Sequence, residues 1–324
     1  MGSAIRYLDY IFLLRPVLFF PVWTVFLAGF LTAQRVGVGT LRLDWSYLKT
    51  LDWPSFVLAL TSYSLLMGAV FVVNQMTDVG SDLENEKLFL IAEKHVSPRA
   101  AVREVALLIL LAYLLALRQS GWFLLTLSLA LLFLGIAYSL PPFLWKDRPF
   151  FGLLTNLFGG MVTFAAGWLV VGRVGWEMIF RSLPYVFAVG AVYFLTTILD
   201  AEGDLHSSKI TVAVRFGSSI CIRLALFFDA VALALGVVLH DWIVGISALA
   251  SFFLFGWLLF RETPDWINRA TRLPILLLSV FVAVYFPPYW LGILGIYFLS
   301  KWYYWRRFGL VYPSLSPTRL KEEE

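Results

Sequence analysis

The sequence predicts an all-α integral membrane protein with nine or ten transmembrane segments, and three observations carry that expectation. Hydrophobic residues make up 60% of the 324-residue chain, charged residues only 14%, and the mean hydropathy is +0.81. No water-soluble fold needs so much apolar surface. The apolar residues are gathered into long runs, as a hydrocarbon interior demands. Finally, the basic residues alternate between loops, as they do when alternate loops face the cytoplasm.

In chain order the apolar runs span 12–33, 54–74, 104–117, 122–139, 151–172, 180–199, 221–239 and 242–260, followed by 272–286 and 288–305. Run 104–117 is short for a span of about 20 residues, so its ends are expected to extend into the flanking polar sequence. The last two runs meet at Pro287-Pro288 and are readable as two spans or one short hairpin. Trp53, Trp122, Trp242, Trp302 and Trp305 stand near run ends, where amphipathic rings anchor at the membrane interface. The first run is long and lacks a small-residue cleavage site, so it is expected to stay as an anchor. The chain is expected to be one polytopic domain, with halves at 12–139 and 151–260 and C-terminal helices over 272–305.

Ten crossings put 19 of the 25 Lys and Arg on the side shared by the N-terminus, the even-numbered loops and the C-terminus. That side is the cytoplasm by the positive-inside rule, and the expected location is the cell (inner) membrane. With nine crossings the tail residues Lys301, Arg306, Arg307, Arg319 and Lys321 would lie outside, against the rule. The net charge of +4 is therefore mostly a topology signal and implies no nucleic-acid partner; no obligate protein partner is evident. Cys221 is the single cysteine, which excludes an internal disulfide and a cysteine metal cluster; it reads as a small apolar residue at a helix start.

Against this background two acid clusters stand out, Asn74-Gln-Met-Thr-Asp78-Val-Gly-Ser-Asp82 and Asp200-Ala-Glu202-Gly-Asp204. Each places two aspartates at i and i+4, on one helix face. Like charges at that spacing repel, and a carboxylate at the centre of a span costs about 2.5–3.5 kcal/mol. A cation is expected between them. Four crossings separate the clusters, so both open on the cytoplasmic face, in the longest loops of that side (75–103 and 200–220). Carboxylate oxygens suit Mg²⁺, which keeps coordination positions for substrate phosphates. Lys209 is in reach of a phosphate. Asp78, Asp82, Asp200 and Asp204 thus read as metal ligands for a bridged diphosphate, the alternative being acids that merely solvate two loops.

At these residues the chain resembles the UbiA superfamily of intramembrane prenyltransferases. Asn74/Asp78/Asp82 and Asp200/Asp204 look like that family's N-x-x-x-D-x-x-x-D and D-x-x-x-D motifs, and Tyr138-Ser-Leu-Pro-Pro-Phe-Leu-Trp-Lys146 looks like its Tyr-Ser-x-Pro-Pro segment. Leu14-Arg15-Pro16 and Asn156 also look familiar. The resemblance implies a bundle of about nine helices around a central cavity with a cytoplasmic-side cap, open to lipid on one side. It implies Mg²⁺-dependent transfer of an isoprenoid chain from a polyprenyl diphosphate to a lipophilic acceptor. Asp78, Asp82, Asp200 and Asp204, with Asn74, would hold metal and diphosphate; Tyr138, Lys146 and Lys209 would bind the leaving group. An aromatic or quinone-precursor acceptor is favoured by frequency, with a glycerol-phosphate lipid or another non-aromatic acceptor as the alternative. The chain differs from commoner members in reading Asn74-Gln75 rather than Asn-Asp, in the stretch Lys87 to Lys94, and in an added apolar tail segment. The first two lie where the site is expected to be capped and bear on the acceptor.

Several single residues carry two readings. Arg15 either attracts diphosphate at the mouth or snorkels to the interface. Asn156 either contacts substrate or bonds a neighbouring helix where Gly159-Gly160 permit close approach. Asp229, midway along the seventh run, is either functional or a structural acid. Phe71, Tyr193 and Phe194 are candidates for facing a carbocation, or simply packing residues. His95, His206 and His240 show no ligand spacing. A transporter for a divalent cation or phosphorylated lipid is the competing class, but it calls for mid-bilayer ligands and broken helices.

Overall fold

The computed structural model describes residues 4–80, 90–207 and 209–313. Asp82, the start of the Lys87–Lys94 stretch, Arg319 and Lys321 lie outside the described residues. What is described is helical, with a single isolated bridge between Val38 and Asp241. The principal helices are α1 (Ala4–Leu13), α2 (Phe19–Ala33), α3 (Trp53–Thr77), α4 (Pro98–Ala116), α5 (Gly121–Ala137) and α6 (Pro149–Trp168). They continue with α7 (Trp176–His206), α8 (Ser218–Val238), α9 (Trp242–Leu258), α10 (Pro264–Tyr285) and α11 (Tyr289–Phe308).

Six of these segments are long and apolar enough to cross a membrane: Ile5–Ala33, α3, α6, α7, α8 and α10. Helices α5 and α9 are apolar but shorter. The short run 104–117 does extend backwards, to a helix starting at Pro98, and Pro287-Pro288 separates two helices, α10 and α11. The chain is thus an all-helical, multi-pass membrane protein.

Helix starts follow local chemistry. Asp52, Ser97, Ser120 and Thr263 each accept a hydrogen bond from a first-turn backbone N–H, and Pro54, Pro98 and Pro264 occupy first-turn positions where no donor is needed. The first apolar run is broken. A left-handed Arg15 (φ 56°, ψ 62°) and the short turn Pro16–Leu18 separate α1 from α2. Gln75, buried in α3, donates to the Leu13 carbonyl at 2.6 Å and so holds the end of α1 at this break. The unusual glutamine of the first acid cluster is therefore a structural clamp.

Contacts between helices form two rings with a common wall. Helix α2 packs on α6, α6 on α7, α7 on α8, α8 on α9, α9 on α10, and α10 back on α2. On the other side of the α2–α6 wall, α3 and α5 complete the smaller ring, with α4 packed outside α3. The wall is close because Gly29 of α2 faces the Phe164 carbonyl and Gly167 of α6 faces the Phe26 carbonyl, where any Cβ would overlap backbone. Close approach of this kind needs small residues. It is not made at Gly160, where an added Cβ would meet Val186 and Val189 at ordinary separations. Phe26, Phe30, Tyr63, Phe164 and Tyr185 fill the core around the wall.

Helix α11 lies against α1. Arg307 makes two 3.1 Å hydrogen bonds to Asp9, Tyr303 donates to Asp9 at 2.8 Å, and the Phe12 and Tyr303 rings stack with centroids 3.6 Å apart.

Candidate active site

Helix α3 ends at Thr77 and Asp78 caps it, its backbone N–H donating to the Asn74 carbonyl at 3.0 Å. Helix α7 continues unbroken through Asp200 and Asp204 to His206, so these two carboxylates do share a face. After His206 the chain reverses. The Lys209 N–H donates to the Asp204 carbonyl at 2.9 Å, which turns the lysine back toward the carboxylates. Helix α5 widens into π-type turns over Leu131–Ala137, a device that is frequent at functional sites. Its end delivers Tyr138 to the cavity and Ser139 to Asn74, the serine donating to the amide oxygen at 3.2 Å. Lys146 stands on the following turn, and the Asp147 carbonyl accepts from the Ile210 N–H at 3.2 Å, tying the two loops together.

These elements enclose a polar cavity of about 190 Å³. Asn74, Asp78, Asp200 and Asp204 line it, as do Tyr138, Lys146, Lys209, Arg15 and Asn156. Every diphosphate- or metal-binding candidate that lies within the described residues therefore lines one chamber. Glu202 is exposed on the other face of α7 and does not line it. Phe194 is buried against Phe228 instead of facing the cavity, whereas Tyr193 lines it and Phe71 lines the apolar space alongside.

The cation expected between the acids is a pair of lysines. Lys146 donates to Oδ1 of Asp78 at 2.6 Å and to the Thr77 hydroxyl at 2.6 Å. Lys209 donates to the same Oδ1. All three side chains are largely buried, at 12% exposure for Asp78, 6% for Lys146 and 14% for Lys209. Burial pushes the Asp78 carboxyl up, but the two ammoniums outweigh it and hold the group below the usual carboxylate range. The lysines divide. Burial dominates at Lys146 and lowers it, while at the more exposed Lys209 the pull of Asp78 raises it.

Three buried polar atoms on this chamber have no hydrogen-bond partner among the described residues: Arg15 Nε, Asp147 Oδ1 and Thr211 Oγ1. Buried polar groups are nearly always satisfied, so a cluster of exceptions on one cavity points to a polar ligand. Arg15 is held in the left-handed region, at a cost of about 1–2 kcal/mol, on the wall of the chamber. Asp147 and Thr211 escaped the sequence reading. Adjacency of Asp147 to Lys146 was the only signal for it, and Thr196, Thr197 and Thr211 carry none.

Among the described residues no three His, Cys, Asp or Glu side chains converge as a ready metal site. Mg²⁺ needs only one or two protein carboxylates when phosphate oxygens complete its shell. Asp200, Asp204 and the unpartnered Oδ1 of Asp147 on one chamber fit that requirement.

Apolar space continues the chamber on both sides of the α2–α6 wall. One arm, of about 330 Å³, lies between α2, α3, α5 and α6 with Val189 of α7, shares Arg15, Asn74, Tyr138 and Asn156 with the polar cavity, and adjoins the second arm along Leu18, Pro21, Val25 and Val189. The other, of about 310 Å³, lies within the larger ring and shares Asn156, Tyr193 and Thr196 with it. Asn156 borders all three spaces; its Nδ2 donates to the Gly152 carbonyl of its own helix at 2.9 Å, and its side chain also bonds Tyr138 at the end of α5.

The UbiA prenyltransferase family matches residues 43–274 of this sequence, well over half of the chain. The chain belongs to the UbiA family. It is accordingly a membrane prenyltransferase, an enzyme that transfers prenyl groups. The chloroplastic 2-acyl-4-prenylphloroglucinol 6-prenyltransferase of Humulus lupulus is 30% identical over 160 residues, 45% of this chain and 38% of the relative. The match thus spans well under half of that protein. A lycopene elongase/hydratase of Corynebacterium glutamicum is 26% identical over 250 residues, 68% of this chain and 78% of the relative. Among solved structures, a UbiA homologue from Archaeoglobus fulgidus bound to GPP and Mg²⁺ superposes with a TM-score of 0.64 at 20% identity, covering 86% of this chain and 98% of the homologue. This UbiA-family chain therefore shares the family's fold as well as its sequence signature.

Proposed function

We infer that this UbiA-family enzyme binds a prenyl diphosphate with Mg²⁺ in the polar chamber and transfers the isoprenoid to a lipophilic acceptor within the membrane. The observation that carries the reading is the chamber itself: four acids, two lysines and three unpartnered buried polar atoms open directly onto apolar arms. A ligand with a highly charged head and a hydrocarbon tail matches that division. The Archaeoglobus homologue with bound GPP and Mg²⁺ supports it.

In the reaction the C1–O bond of the allylic diphosphate breaks and its electron pair leaves with the diphosphate. A new bond forms from C1 to the acceptor, which gives up a proton. Asp200, Asp204 and Asp147, with Asp78, would hold Mg²⁺, which when bound supplies positive charge to the departing diphosphate oxygens. Lys146, Lys209 and Arg15 bind the diphosphate by charge-assisted hydrogen bonds, for which both lysines leave Asp78. The apolar arms keep water from the allylic cation, and Phe71 and Tyr193 offer it ring faces. Asp82 is proposed as a further metal ligand on the family motif.

The basic-residue asymmetry supports a chamber opening to the cytoplasm from the cell (inner) membrane. Helices α4, α5, α9 and α11 added to the six long spans would give ten crossings, or nine if α11 lies along the interface; a cytoplasmic-side cap is proposed on the family resemblance. Related halves at 12–139 and 151–260 are proposed on the 122-residue offset between Asp78 and Asp200. An aromatic or quinone-precursor acceptor is favoured, supported by the phloroglucinol relative; the lycopene elongase relative supports a non-aromatic one.

The test is diphosphate release from GPP or geranylgeranyl diphosphate by purified protein, with Mg²⁺ or EDTA, across phenolic, carotenoid and glycerol-phosphate acceptors. Release that needs both Mg²⁺ and one acceptor class is expected. Folded protein that releases none in any pairing would refute the assignment.

A further inference from the structure

The two apolar arms are similar in size but differ in chemistry. In the arm between α2, α3, α5 and α6, the only ionisable side chains among the described residues are Arg15 and Tyr138, both shared with the polar cavity. Its Thr163 hydroxyl is already committed, donating to the Gly159 carbonyl and bonding Tyr63. Such a lining suits a hydrocarbon.

The arm inside the larger ring carries Asp229, midway along α8 and only 2% exposed. Its Oδ2 has no hydrogen-bond partner among the described residues, and no lysine, arginine or histidine lines the arm with it. Ser247 and Ser251 line the same space one helical turn apart. Their hydroxyl protons go to the Ile243 and Ser247 carbonyls, which leaves their oxygens able to accept. A buried polar group without a partner costs about 1–3 kcal/mol, and a prenyl chain lying on it would leave that cost in place. A ligand hydroxyl would remove it.

We propose that the arm containing Asp229 is the acceptor site and that Asp229 selects a lipophilic acceptor bearing a hydroxyl group, while the donor's prenyl chain occupies the opposite arm. This rests on the prenyl-transfer reading. The hydroxyl sits on Asp229, roughly 16 Å along α8 from Ser218 at 1.5 Å per residue. The carbon to be prenylated sits at the Tyr193–Thr196 opening into the polar chamber. The two arms adjoin along Leu18, Pro21, Val25, Asn156 and Val189, so the prenyl chain and the acceptor body would lie side by side there.

The test compares binding of radiolabelled 4-octylphenol with that of its methyl ether, 4-octylanisole, to the full chain in nanodiscs, without metal or diphosphate. The wild-type protein is expected to bind the phenol about tenfold more tightly, the value of one satisfied buried hydrogen bond. Asp229→Leu is expected to reduce the preference to about twofold or less, and Asp229→Asn to keep most of it. In a separate measurement, Met67→Trp in the opposite arm should weaken GPP with Mg²⁺ more than DMAPP with Mg²⁺ and leave the phenol preference intact. Equal binding of phenol and ether by the wild-type protein overturns the proposal without need of any variant. A preference that survives Asp229→Leu, or is lost in Met67→Trp, overturns it as well. Failure of wild-type protein to bind GPP with Mg²⁺ would instead strike the prenyl-transfer reading, because the phenol comparison uses neither.

Discussion

Replacing Asp78 by asparagine removes one negative charge and keeps an amide oxygen where Lys146 and Lys209 now donate. In the native chain both bonds are charge-assisted at each end, and the three side chains are between 6% and 14% exposed. Hydrogen bonds to charged groups contribute about 1.5–3 kcal/mol and those to neutral groups about 0.5–1.5. The loss is therefore about 1–1.5 kcal/mol for each lysine, or about 2–3 kcal/mol for the pair, and the lysines are left with less compensation for burial. Positive charge is meanwhile unmasked in the chamber. Two effects of opposite sign are expected from Asp78→Asn. Metal-free affinity for inorganic diphosphate should rise, by about 30-fold or more if the whole 2–3 kcal/mol is released when diphosphate captures the lysines. Mg²⁺-dependent turnover of GPP should fall at least 100-fold, as a charge-stabilising group is lost. Calorimetric titration with diphosphate and a coupled diphosphate-release assay read the two effects separately. A folded variant with wild-type turnover would refute the metal assignment, and unchanged metal-free affinity would refute the lysine clamp.

Other outcomes follow from neighbouring features. Because burial lowers Lys146, its ammonium loses a proton as pH rises before an ordinary lysine near 10.4 would, and diphosphate affinity should fall on that alkaline limb. Lys146→Arg, which does not titrate there, should move the limb to higher pH; an unmoved limb in a binding titration counts against Lys146. Asp78 has the opposite linkage: its lowered carboxyl stabilises the fold at all pH above the unfolded value near 3.9, and that stability is lost as pH falls through its folded value. Melting curves in detergent should accordingly differ between wild type and Asp78→Asn at pH 6 and converge at strongly acid pH. Gly167→Ala puts a methyl group into the Phe26 carbonyl and should cost about 1–3 kcal/mol, seen as a lower melting temperature; an unchanged one would mean the α2–α6 wall yields freely. Arg307→Ala leaves Asp9, 2% exposed, with Tyr303 but no cation, so α11 should become the first site of limited proteolysis.

Much of the site was legible because its chemistry is costly in a membrane. Aspartates at run ends, spaced by one helical turn, have few structural uses, so Asn74, Asp78, Asp200 and Asp204 announced themselves. Lys146 and Lys209 lie 63 residues apart, yet the charge deficit of the acids demanded partners, and the chamber supplies both on one oxygen. Asp147, Thr196 and Thr211 were illegible, since nothing in local sequence separates a loop aspartate or a helix threonine that lines a cavity from one that does not. Gln75 misled in a useful way: it stands inside a site motif, but its amide serves the Leu13 carbonyl.

Sequence alone determined that the chain is helical, crosses a membrane and concentrates charge at one end, because hydrophobic run length and the cost of buried charge act locally along the chain. Tertiary structure alone decided that the acids face two lysines, that the apolar interior has two adjoining arms, and that Asp229 opens into one arm and not the other. Those are properties of side chains from distant segments meeting in space. Their energies depend on what burial leaves unpaired, which no single stretch of sequence contains.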